Sequence, residues 1–129
     1  PLINTQINGV IDWKWNINDI DIFIKAFDDP YDGASTQYKS KIVHLKNSSC
    51  IKGKNKFHPD QSGIITRLDN NGIYIMCIGG LLKVENVYDE NLIEITNQIQ
   101  LGERLYSSIT LIEKSMLNRA KYGTFGLKK

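Results

Sequence analysis

The stretch Gly63-Ile64-Ile65-Thr66-Arg67-Leu68-Asp69-Asn70-Asn71-Gly72-Ile73-Tyr74-Ile75-Met76-Cys77-Ile78 holds two β-branched, apolar runs around a polar break. An Asn-Gly pair favours the positive φ angles of a tight turn, so 63–68 and 73–78 are expected to pair as an antiparallel hairpin. Gly79-Gly80 ends the second run, and 81–88 then alternates Leu82, Val84, Asn86 and Tyr88 against Leu81, Lys83, Glu85 and Val87. That reads as a third strand, which makes the region a meander.

Working outward, the runs at 35–38 and 41–45, rich in Thr, Tyr, Ile and Val, are separated by Lys39-Ser40 and predict a second hairpin. The segment 52–61, polar and carrying Gly53 and Pro59, reads as the longest loop. Helical periods flank these strands. Ile17, Ile20, Phe23, Ile24 and Phe27 recur at three- and four-residue steps within 16–27. Asn16 or Asn18 can cap that helix, Asp19 and Asp21 suit its positive end, and Pro30 forbids its continuation past Asp28. From Ser108, Ile109, Ile112, Met116 and Ala120 share one helical face with Leu117 beside them, Thr110 and Glu113 have capping-box spacing, and Gly123 is a suitable stop.

The expected fold is therefore mainly β with flanking helices, an α+β chain built on a small open barrel of five or six strands with one helix before and one after it. The pattern alone does not separate an OB-like from an SH3-like barrel. The organisation expected is a linker and helix over 1–33, from the end of a preceding domain, and a barrel with its terminal helix over 34–129. One hundred and twenty-nine residues suffice for one core, and the 41% hydrophobic and 23% charged content is that of a folded protein. No apolar run is long enough for a bilayer, no membrane role is expected, and a cytoplasmic location follows by default. Cys50 and Cys77 are expected to stay reduced as packing residues.

The net charge of +2 hides an uneven distribution. Lys39, Lys41, Lys46, Lys52, Lys54, Lys56 and Arg67 face only Asp60 within 39–67, while 1–33 holds six acids against Lys14 and Lys25. Such a basic block can attract phosphate with a steep salt dependence, or simply guard a sheet edge. Catalytic and metal chemistry find no frame. His44 and His58 lie near no recognisable nucleophile, no Cys-x-x-Cys or His-x-x-x-His occurs, and the glycines lack the setting of a phosphate cradle. Asp12 and Trp13 are read as domain-docking residues, the indole as a buried anchor needing a partner for its N–H and the acid as a local cap.

Two segments carry a family resemblance: Gly9-Val10-Ile11-Asp12-Trp13, and Asp28-Asp29-Pro30-Tyr31-Asp32-Gly33-Ala34 after one amphipathic helix. Their order resembles the junction where the catalytic domain of folate-dependent formyltransferases gives way to the C-terminal domain. That family includes methionyl-tRNA formyltransferases and amino-sugar N-formyltransferases. Leu101-Gly102-Glu103-Arg104-Leu105-Tyr106 and Arg119-Ala120-Lys121-Tyr122 look like the sugar-acting branch. The resemblance implies an OB-like barrel, an upstream catalytic domain as partner, and 10-formyltetrahydrofolate as the cofactor of the parent enzyme, not of this chain. The acceptor it implies is tRNA or a nucleotide-linked amino sugar, met by the seven cations named above. The Asn, His and Asp of the formyl-transfer centre belong upstream, so no catalytic residue is expected here. A free-standing OB-type nucleic-acid-binding module, with Tyr38, Phe57, Tyr74 and Tyr88 as stacking platforms, or a protein-docking module, is the competing reading.

Overall fold

The computed structural model describes residues 9–29, 31–51 and 61–123, with the side chains of the last helix described through Leu117. Helix α1, Ile17–Ala26, precedes strands β1, Ala34–Tyr38, β2, Lys41–Ile51, β3, Ile65–Asp69, β4, Gly72–Cys77, and β5, Gly80–Tyr88. A 3-10 turn at Thr96–Gln98, a short β6 at Leu105–Tyr106 and helix α2, Ile109–Gly123, are the remaining elements among the described residues. The six strands form one antiparallel sheet in the order β3-β4-β5-β2-β1-β6, curled into a half-barrel. The expected loop at 52–61 lies outside the described residues except for its last position.

Closure of the barrel depends on backbone rather than side chains. Ile64 of the β3 side bridges Arg104 of the β6 side, with Leu105 N–H donating to Gly63 O at 2.8 Å and Ile65 N–H to Glu103 O at 2.9 Å. The two edges of the sheet therefore meet at one end, which removes part of the unpaired edge that an open sheet exposes.

Curling also requires the sheet to change face. On β2 the core side chains are Val43 and Leu45, but further along Ser48 is buried, so the alternation slips by one. On β5 the same slip separates Val87 from Val84 and Leu82. Asn47 sits between them with φ 59, and its N–H donates to Asp28 Oδ2 at 2.9 Å. A single left-handed residue turns the strand, and the acid after α1 holds that turn.

Both hairpins form as expected, although their turns exchange chemistries. At 69–72 only Gly72 has positive φ, and the turn is held by Asp69 Oδ1 accepting from Asn71 N–H at 2.8 Å. The β1–β2 turn puts both Lys39 (φ 49) and Ser40 (φ 68) in the left-handed region, without a glycine or asparagine. Each such residue costs about 1–2 kcal/mol.

Helix α1 is capped by Asn16, whose Oδ1 accepts from Asp19 N–H at 3.0 Å. Its Ile17, Ile20 and Ile24 enter one hydrophobic core with Trp13, Val43, Leu45, Ile75, Leu82 and Leu105. Buried Asp21 accepts from Ser48 Oγ at 2.6 Å and Lys25 Nζ at 2.7 Å. Burial alone would raise its carboxyl pKa, but the bonds from Lys25 and Ser48 prevail and hold it below the usual carboxylate value. On the outer side Trp15, Phe23, Phe27 and Tyr31 stack in a row with ring centroids 5.0, 5.0 and 6.2 Å apart. Helix α2 turns Ser115 and, in part, Leu111 and Ile112 inward, while Ile109 and Met116 on its most apolar face stay exposed.

Candidate functional site

Lys39, within the strained turn of the β1–β2 hairpin, and Lys41, just after it, line a groove of about 530 Å³. Tyr38 and Ile42 line it too, as do Asp89, Glu90 and Asn91, so two carboxylates share the groove with the two lysines. Lys39 Nζ donates to Gln100 Oε1 at 3.0 Å, lies 3.6 Å from Glu103 and stands 5.5 Å over the Tyr38 ring. Ser40 N–H donates to Tyr106 Oη at 3.1 Å, so β6 and its approach brace the turn from outside. Left-handed non-glycine residues persist only where surrounding contacts impose them, and such residues cluster at functional sites.

The other cations separate. Lys46 is largely buried, with Nζ 2.6 Å from Asp29 and 5.8 Å over the Tyr88 ring. Its charge is paired with the acidic segment after α1, which also holds the Asn47 turn. Arg67 lies on β3, beyond β4 and β5 from the lysines, over Tyr74 at 4.9 Å and 3.6 Å from Asp69. Lys52, Lys54 and Lys56 fall outside the described residues. A second groove, also about 530 Å³, is lined by Asp69, Glu85 and Glu94 and would repel an anion. Only Lys39 and Lys41, of the seven cations, share a described groove.

Two of the four aromatic platforms expected for base stacking are spent inside the chain, while Tyr88 is partly exposed with the Lys46 ammonium over its ring. Tyr38 and Tyr74 are 7% and 6% exposed, and Tyr38 Oη accepts from Gln100 N–H at 3.0 Å. Phe57 lies outside the described residues. Trp13 is 6% exposed, and its indole N–H donates to Thr36 Oγ1 at 2.8 Å within this same chain. Asp12 Oδ1 caps locally, accepting from Lys14 N–H at 3.0 Å.

Sequence reasoning passed over two devices. Asp28 and Asp29 were legible only as turn residues, yet they hold the Asn47 turn and the Lys46 ammonium from nearly twenty residues away. His44, fully buried on β2, has Nδ1 3.3 Å from Gly33 O and 3.2 Å from Ser35 Oγ. A carbonyl only accepts, so we assign the proton to Nδ1; Nε2 is then bare and meets no partner among the described residues. Protonating Nε2 would leave a buried cationic N–H unpaired, and burial accordingly holds the imidazole below its usual value of 6.5. A lowered folded value means that this contribution to stability is complete above 6.5 and is lost as the pH falls below it. Urea midpoints should therefore fall between pH 7.5 and 5.5, by at most about 1.4 kcal/mol per pH unit from this one site. The His44→Gln variant should be less stable at pH 7.5 but flatter across the range; an unchanged slope would assign the pH dependence elsewhere.

The arrangement is a curled half-barrel with two lysines at a hairpin turn and no catalytic constellation among the described residues. Among the described residues no cluster of three metal-binding side chains occurs and no helix is long and apolar enough to cross a membrane. Residues 4–99 match the family described as formyl transferase, C-terminal domain. That match covers well over half of the chain, and the chain belongs to this family. No curated protein matches it.

Proposed function

We propose that this chain is the accessory C-terminal domain of a 10-formyltetrahydrofolate-dependent formyltransferase of the methionyl-tRNA formyltransferase-like kind, and that it helps position the phosphate-bearing amine acceptor for an upstream catalytic domain. The observation that carries this reading is the strained Lys39-Ser40 turn, which holds two lysines at an open groove in a domain of the formyltransferase family. A flexible lysine on a relaxed loop would pay more ordering entropy on meeting a phosphate than one already braced. The burial of Tyr38 and Tyr74 counts against a module that binds nucleic acid by base stacking. Cys50 and Cys77 are not joined in a disulfide, which suits the reducing cytoplasm in which such one-carbon transfer would run.

His44 is the one histidine among the described residues and is fully buried, so it cannot meet a formyl donor and an amine together. No step of formyl transfer is assigned to this chain.

The test joins stability to binding. Lys39→Asn with Ser40→Gly installs a turn pair that accepts positive φ, so the thermal midpoint should rise while binding of tRNA at low salt falls about tenfold with Lys41→Glu added. The slope of affinity against salt should also shrink by about one to two phosphate contacts. A nucleotide-linked amino sugar titrated in parallel identifies the alternative acceptor. Unaltered binding of both ligands by the triple variant would remove the turn from acceptor recognition.

A further inference from the structure

We propose that Asn71 is a modification site, at which spontaneous deamidation adds an age-dependent negative charge to the tip of the β3–β4 hairpin. Asparagine is a thermolabile side chain, and the reaction is governed by what holds its amide and by the bulk of the residue that follows. Asn71 is exposed at the turn, and its own N–H donates to Asp69 Oδ1 at 2.8 Å. Its side-chain amide has no hydrogen-bond partner among the described residues. By contrast, the amides of Asn16, Asn47 and Asn86 are all bonded. Of the described asparagines, Asn71 alone precedes a glycine, whose nitrogen is unshielded for want of a Cβ. Nor does the backbone use the Asn-Gly pair in the way a primed turn would, since neither Asn70 nor Asn71 has positive φ. The side chain of Asn71 is therefore left without a structural task.

The step needs only water and hydroxide. The Gly72 nitrogen gives its proton to hydroxide and bonds to Asn71 Cγ, while the side-chain nitrogen takes a proton from water and leaves as ammonia. Water then opens the cyclic imide at one of its two carbonyls, which yields either an aspartate or an isoaspartate with one more carbon in the main chain. The two products act differently on this hairpin. Asp69, Asn70 and Gly72 line a groove with Glu85 and Glu94, so a new carboxylate at the turn strengthens a negative field already present. The longer isoaspartate backbone has nowhere to go on the β5 side. Gly72 is packed so closely there that an added Cβ would run into the carbonyl oxygen of Val84, the residue paired with Ile73. Lengthening the chain before Gly72 therefore disturbs the register in which β4 meets β5.

The folded full chain, aged at neutral and at mildly alkaline pH, is mapped by proteolysis and mass spectrometry. The peptide holding Asn71 should gain one mass unit, as a mixture of aspartate and isoaspartate forms, and faster in proportion to hydroxide. Asn71→Gln should abolish the gain, because its longer side chain would have to close a larger ring. The other Asn-Gly pair, Asn8-Gly9, has its asparagine outside the described residues and is read on a separate peptide. In urea titration, Asn71→Asp should keep the wild-type midpoint, whereas the isolated isoaspartate form should unfold at lower urea. A folded chain that keeps Asn71 intact while the urea-unfolded chain loses it would overturn the inference, since the native tip would then protect the amide. A gain on the same peptide that persists in Asn71→Gln would also overturn it. An isoaspartate form with the wild-type midpoint would refute the effect on the hairpin.

Discussion

Replacing Gly63 with alanine is expected to destabilise the protein by about 3–5 kcal/mol, read as a fall in the urea midpoint without a change of slope. Gly63 has φ +98, and an added Cβ would run into the carbonyl oxygen of Leu105. That oxygen belongs to backbone and cannot rotate aside. Gly63 N–H donates to Met76 O at 2.8 Å and its carbonyl accepts from Leu105 N–H at 2.8 Å, so relieving the clash separates the two edges at the barrel seam. Gly102 is the control. Its φ is +85, but nothing lies within 4 Å of an added Cβ, so Gly102→Ala should cost only the conformational strain of about 1–2 kcal/mol. Equal losses in the two variants would show that the seam tolerates opening and that strain alone sets the cost.

Truncating Trp13 to alanine should cost about 3–5 kcal/mol even in the isolated chain. The ring is 6% exposed within the core, and the indole N–H reaches Thr36 Oγ1, which itself donates to Tyr106 O at 2.7 Å and lies 3.1 Å from Ser107 Oγ. Ser62 Oγ donates to the Trp13 carbonyl at 2.6 Å, tying the same residue to the segment before β3. One tryptophan thus joins the N-terminal segment, β1, β6 and the barrel seam. Trp13→Phe keeps most of the apolar area and leaves Thr36 with its other partners, so a loss of about 1–2 kcal/mol is expected. Denaturation followed by far-UV circular dichroism separates the three proteins. A loss on Trp13→Ala no larger than on Trp13→Phe would mean that the ring contributes a hydrogen bond but little packing.

The legible parts of this protein were those set by neighbours in sequence. Ile17, Ile20 and Ile24 repeat at helical spacing and are buried together, and Asn16 caps the helix that Asp28 leaves. The runs around Gly72 and around Lys39-Ser40 alternate as strands and pair as hairpins. The candidate site was legible only as a list of cations. Which lysines remain available is decided by partners far along the chain: Asp29 holds Lys46, and Gln100 braces Lys39 from sixty-one residues away. The apolar stripe of α2 misleads for a similar reason. Periodicity reports that a helix has one apolar face, but not whether the barrel or solvent lies against it.

By itself, then, the sequence determined the kinds and order of elements, the two hairpins and the family segments, because periodicity, caps and turns act over a few residues. Tertiary structure alone decided where β2 and β5 change face, how β3 meets β6, and which side of α2 is left open. It also put positive φ at Lys39 and Ser40, where neither residue prefers it, because Tyr106 and Gln100 close on the turn from the far end of the chain. Those outcomes depend on backbone atoms brought together across long separations, and no local pattern encodes them.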